Sequence, residues 1–186
     1  MSLNAKKLLN SDLPGIPAGV TGLTVKEVVA GGIHTVYFDF NQMPVTVANT
    51  TGASFGSQKL YTYLEGRIYN MGGFSKFPTI SWAGESIVAT GSGDYSIGTT
   101  ATAEATLATT DVDIQASTAM LDPFAGGVGS SAGAAFASPA AFDGTGTAKE
   151  IHLNVIIDDA DVSDLDTDTV LFTGSAKLVY VHFGDL

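Results

Sequence analysis

The chain has 186 residues, no cysteine and a formal net charge of −11, enough length for one domain to bury a core of its own. Without cysteine there is no disulfide framework, no zinc-thiolate site and no thiol nucleophile. The eight basic residues, Lys6, Lys7, Lys26, Lys59, Arg67, Lys76, Lys149 and Lys177, form no stripe along the sequence, which argues against nucleic-acid and anionic-membrane binding.

Charged residues make up 15% of the chain, below the roughly 25% of ordinary domains; small neutral Gly, Ala, Ser and Thr fill the gap. Such a surface is cheap to desolvate and suits burial against other subunits as well as a Thr-rich β-surface in water. Lys6-Lys7-Leu8-Leu9 runs straight into Asn10-Ser11-Asp12, so no apolar core of a signal peptide is expected.

Residues 1–22 hold Pro14, Pro17, Gly15, Gly19 and Gly22 and read as an extended N-terminal arm, with at most one helical turn around Leu3, Leu8 and Leu9. The domain proper is expected over 23–186. Leu23 to Val29 is a first strand, and Ile33 to Phe40 a second, with Val36, Phe38 and Phe40 alternating against Thr35, Tyr37 and Asp39. Val45-Thr46-Val47 is expected to fold back after Asn41-Gln42 as a hairpin, with Pro44 marking an edge. Lys59 to Tyr69 reads as a fourth strand broken by Gly72-Gly73, and Phe77 to Trp82 as a fifth.

Ser86 to Ala89 and Asp94 to Ile97 are short pieces about Gly91-Ser92-Gly93. Thr100 to Ala116 reads as two strands broken near Thr109-Thr110, because frequent Thr and the run Val112-Asp113-Ile114 outweigh the helical propensity of Ala. Residues 125–147 form a Gly/Ala-rich loop that Phe124, Phe136 and Phe142 allow to lie on something. Ile151 to Ile157 and Val170 to Phe183 alternate strongly and flank an acidic turn, Asp158 to Asp168. The whole describes an all-β protein, an antiparallel β-sandwich of jelly-roll or immunoglobulin-like kind.

Chemistry is scarce in these residues. His34, His152 and His182 fall on three strands, which permits a three-histidine metal site, although histidines satisfied by hydrogen bonds are far commoner. No catalytic set is expected: there is no Gly-x-Ser-x-Gly elbow, phosphate loop or His-Glu-x-x-His, and no serine has a base beside it in sequence. No cofactor is expected either, since Gly91-Ser92-Gly93-Asp94 and Gly126-Gly127-Val128-Gly129 lack the Lys and the helix of a phosphate site. Asp159, Asp161, Asp164, Asp166 and Asp168 offer oxygen ligands for calcium, but the glycine and terminal Glu of an EF-hand are missing. A solvated acidic hairpin loop is the simpler reading. Tyr61, Tyr63 and Tyr69 beside Arg67 suit either sugar stacking or, better, an inner face or an interface.

The closing part, Phe142-Asp143-Gly144-Thr145-Gly146-Thr147-Ala148-Lys149-Glu150-Ile151-His152-Leu153-Asn154-Val155, the Asp-rich turn, and Phe172-Thr173-Gly174-Ser175-Ala176-Lys177-Leu178, resembles small structural proteins of tailed bacteriophages, capsid decoration (cement) proteins among them. That resemblance implies a virion protein on the outside of an icosahedral head, assembled in the host cytoplasm, a homotrimer whose partner is the major capsid protein. It carries no catalytic or ligand motif. The alternative is a calcium- or carbohydrate-binding β-sandwich module of a phage tail or host-attachment structure.

Overall fold

The structure, a computed structural model, describes residues 6–8, 17, 19–50, 53–83, 93–104, 106–120, 128–129, 134–136, 140–157 and 167–184. Its strands are β1 (Lys6–Leu8), β2 (Leu23–Ala30), β3 (Ile33–Thr50), β4 (Ala53–Thr62), β5 (Gly66–Ala83), β6 (Gly93–Gly98), β7 (Gln115–Ala119), β8 (Val128–Gly129), β9 (Ala134–Ala135), β10 (Ala140–Gly144), β11 (Glu150–Ile157) and β12 (Thr167–Gly184). The all-β, antiparallel class read from the sequence is what the chain adopts. All twelve strands belong to one curled sheet, a half-barrel, with the main order β10-β5-β12-β3-β4-β11-β6-β7 and with β2 added to the first part of β3.

Curling brings the two halves of the sheet face to face. Phe77 on β5 meets Tyr95 on β6 edge-on with ring centroids 5.2 Å apart, and Phe172 on β12 meets Phe77 at 5.0 Å. Such aromatic pairs contribute about 0.5–1.5 kcal/mol each beyond their burial. Ser75 on β5 donates to the Gln115 side chain of β7 across the same gap. The core is closed at one end by polar groups: Glu27 accepts from Tyr180, and its Oε1 lies 2.6 Å from Nδ1 of His34.

Several strands run differently from the sequence expectation. Ile33 to Thr50 is one strand and not a hairpin. Gln42 takes a left-handed φ of 52°, the ladder to β12 slips between Phe172 and Gly174, and the Gln42 N–H donates to Thr173 Oγ1. The polar pair thus makes a β-bulge that bends the strand without reversing it. Pro44 lies opposite Leu171 of β12, at a place where β3 has no neighbour on its other side, the edge-like setting in which a strand tolerates proline.

The expected fourth strand is divided. The chain turns at residues 63–65, and β5 then runs unbroken through Gly72-Gly73. Gly73 is a seat and not a breaker: a Cβ there would overlap the Phe136 ring, and the Phe136 N–H donates to the Gly73 carbonyl. The 125–147 region, where described, is partly strand: β8, β9 and β10 pair along β5, while Phe124 lies outside the described residues.

Thr100 to Ala116 does not give two strands. A 3-10 turn at Thr109–Asp111 precedes β7, and the segment is tied back on itself by side chains in place of a ladder: Asp113 accepts from both the N–H and the hydroxyl of Thr99, and Asp111 from the hydroxyl of Thr100. β11 and β12 are both strands but do not pair with each other, so the acidic segment is no hairpin loop. Lys6–Leu8 is strand, paired with β2, and not a helical turn. Most of the remaining 1–22 arm, and Ser86 to Ala89, fall outside the described residues.

Candidate functional site

Alternation in β2, β3, β12 and β5 sends one set of side chains inward and the other out of the molecule. The register sets the outward set in rows. Lys26, Tyr37, Lys177 and Phe74 lie side by side across the four strands, followed by Thr24, Asp39, Ser175 and Lys76. On the other side of the first row come Ala30, Ile33, Val181 and Tyr69, continued onto β10 by Ala141.

This face gathers unburied apolar surface. Seven large hydrophobic residues are exposed among the described residues, and six of them, Ile33, Tyr37, Tyr69, Met71, Phe74 and Phe183, stand here. Phe183 is 53% exposed and Phe74 49%. Single exposed apolar side chains are ordinary, whereas a contiguous set marks a surface meant to be covered. Two shallow hollows indent it. One, of about 310 Å³, is lined by Tyr37, Phe74, Lys26 and Lys177; the other, of about 320 Å³, by Arg67, Tyr69, Ala141 and Phe183. The Lys177 ammonium sits 5.8 Å from the centre of the Tyr37 ring, a cation–π distance.

Charge is distributed unevenly. Lys26, Lys76, Lys177 and Arg67, half of the basic residues of the chain, project from this face, against Asp39 and Asp143. The opposite side of the molecule is acidic and is covered by its own chain. There the segment 99–114 lies on the outer side of β11, held by Asn154, whose amide accepts from the Thr102 N–H and donates to the carbonyls of Thr100 and Asp111. That side presents Asp94, Glu104 and Asp111, with Asp113 half-buried beside them, while Lys59 is paired with Glu150 and Lys149 acts on Asp113. Burial pushes the Asp113 carboxyl above the usual range, and its hydrogen bonds from Thr99 offset this only in part.

The histidines do not converge. His34 and His182 meet edge to face, centroids 6.4 Å apart, whereas His152 stands on the other half of the sheet. No group of three or more metal-donor side chains forms among the described residues. His152 instead lies between Ser57, 3.3 Å from its Nδ1, and Glu150, 3.0 Å from its Nε2, and Glu150 pairs with Lys59. Nucleophile, base and carboxylate in a row resemble an acyl-transfer relay, which sequence spacing had hidden because Ser57 lies 95 residues from His152. Acyl transfer also needs oxyanion donors and a substrate cleft, and neither hollow adjoins Ser57. The row locks β4 to β11 where their ladder slips between Ile151 and His152.

Of the calcium candidates, Asp159, Asp161, Asp164 and Asp166 lie outside the described residues. Asp168 is buried on the core side of β12, 3% exposed and opposite Val47, and its Oδ2 has no hydrogen-bond partner among the described residues. Tyr61 and Tyr63 are core residues and only Tyr69 is exposed, so the three tyrosines share no face. The chain matches no family model, and no curated protein or solved structure matches it significantly.

Proposed function

We propose that this is a structural virion protein, a capsid decoration (cement) protein that stabilises a bacteriophage head by binding across capsomers on its outer surface. The observation that carries the reading is the open, aromatic face of β2, β3, β12 and β5, an adhesive surface without reactive groups. The physical role is burial: at about 25 cal/mol per Å² of apolar area removed from water, such a face contributes to adhesion only when a partner covers it. A net charge of −11 favours the outside of a DNA-filled shell over its lumen. On this reading the curled sheet is a sandwich whose two layers remain joined, and the major capsid protein is the partner.

The test is co-sedimentation with heads of the virus that encodes the protein. Wild type is expected to bind shells and not DNA, and the Tyr37→Ser/Phe74→Ser variant to lose binding while keeping its fold by circular dichroism. Mass spectrometry of intact particles should count it in amounts comparable with the major capsid protein. Failure to bind shells, or a copy number appropriate to a single vertex, overturns the reading.

A further inference from the structure

The two sides of the molecule are complementary to each other. The front, the outer face of β2, β3, β12 and β5, combines exposed aromatics with four cations and two anions; the back, built on β6 and the 99–114 segment, presents Asp94, Glu104 and Asp111. A front-to-front pair would set Lys26, Lys177, Lys76 and Arg67 of one copy against the same residues of another, and like charges across an interface cost affinity. A front-to-back pair sets them against carboxylates and covers the aromatics at the same time.

We propose that the front of one copy docks on the acidic back of the next, a heterologous contact in which Lys26 and Lys177 face Glu104 and Asp94 while Tyr37 and Phe74 are buried between them. This rests on the reading of the face as adhesive and names its occupant in the free protein, a second copy of this chain, which the capsid surface displaces when the protein binds a shell. Heterologous contacts close into rings when the rotation between copies allows and otherwise extend as chains. Since exposed ion pairs are screened within about 8 Å at physiological ionic strength, the association weakens as salt rises.

The test is sedimentation velocity and light scattering on purified protein without shells, at low and high salt. Wild type is expected to associate, and more weakly in high salt. Lys26→Glu/Lys177→Glu and Asp94→Lys/Glu104→Lys should each weaken association by about tenfold or more, and mixing the two in equal amounts should restore it, because each then offers the surface the other lacks. Circular dichroism checks that both fold; if a reversed pair does not, Lys177→Gln and Glu104→Gln replace it and are each expected to weaken association. A wild type that is monomeric at every salt overturns the proposal, as does a back variant that associates like wild type, the mark of front-to-front pairing. A monomer that still binds shells sinks this inference alone, whereas an associating protein that ignores shells supports it and sinks the capsid reading.

Discussion

Glu27 shows how much one side chain depends on its setting. It points to the core side of β2 and is 5% exposed. Burial opposes its ionisation, but hydrogen bonds from His34 and Tyr180, with the His34 charge, outweigh that and hold the carboxyl below its ordinary value of 4.5. A carboxylate depressed in the folded state stabilises above its unfolded value, and that contribution is lost as pH falls through the folded value. Glu27→Gln is therefore expected to lower stability by about 1–3 kcal/mol at neutral pH, with the gap from wild type closing below pH 4.5; urea unfolding across pH checks this, and a gap that widens in acid would refute it. Tyr63 is the opposite case. Its hydroxyl is buried and has no hydrogen-bond partner among the described residues, and burial drives its ionisation well above the normal range. Removing a desolvated, unpaired hydroxyl relieves a cost, so Tyr63→Phe should leave stability unchanged or raise it by up to about 1 kcal/mol. A clear loss in the melting temperature would mean that the hydroxyl is bonded.

At the scale of elements, the two long strands β3 and β5 each pass through a point that reads as a break. In β3 the point is Gln42, at a φ of 52°. Left-handed backbone costs a residue with a Cβ about 1–2 kcal/mol and is worst for β-branched side chains. Gln42 already bears that cost, so Gln42→Val is expected to lose the β-branched increment, on the order of 1 kcal/mol, in chemical denaturation, and Gln42→Gly to lose none. In β5 the point is Gly73, beneath the Phe136 ring. Gly73→Ala inserts a methyl where the ring and the Lys177 carbonyl already stand, and overpacking of this kind costs about 1–3 kcal/mol. If Gly73→Ala melts like wild type, Phe136 does not sit there. Both sites were visible in the sequence as polar or glycine pairs. Their meaning was not, since a bulge, a seat and a turn draw on the same residue types and only the pairing partner separates them.

For the molecule as a whole, the decisive strand comes last. β12 lies between β3 and β5 along most of its length, so the middle of the sheet forms only when residues from opposite ends of the chain meet. Deleting Thr167–Gly184 should leave an unfolded chain by circular dichroism and proteolysis, whereas a folded remnant would show that the β4-β11-β6-β7 half stands alone. The period-two alternation of β2, the first half of β3, β11 and β12 was legible because one apolar face per strand is a local property of the sequence. Composition likewise determined the all-β class and the absence of thiol chemistry. The sequence could not show which outward face is open. Tyr37 and Asn154 both occupy outward positions of good strands, yet the 99–114 segment covers Asn154 and leaves Tyr37 bare. Nor could it show the basic cluster: Lys26, Lys76 and Lys177 form no stripe along the chain and become neighbours only through strand register, with Arg67 on the same face but at the far end of β5. What the amino acids determined by themselves is the strand and its two faces, since those follow from backbone geometry over a few residues; which strands pair, and hence which faces meet solvent, was decided by long-range packing.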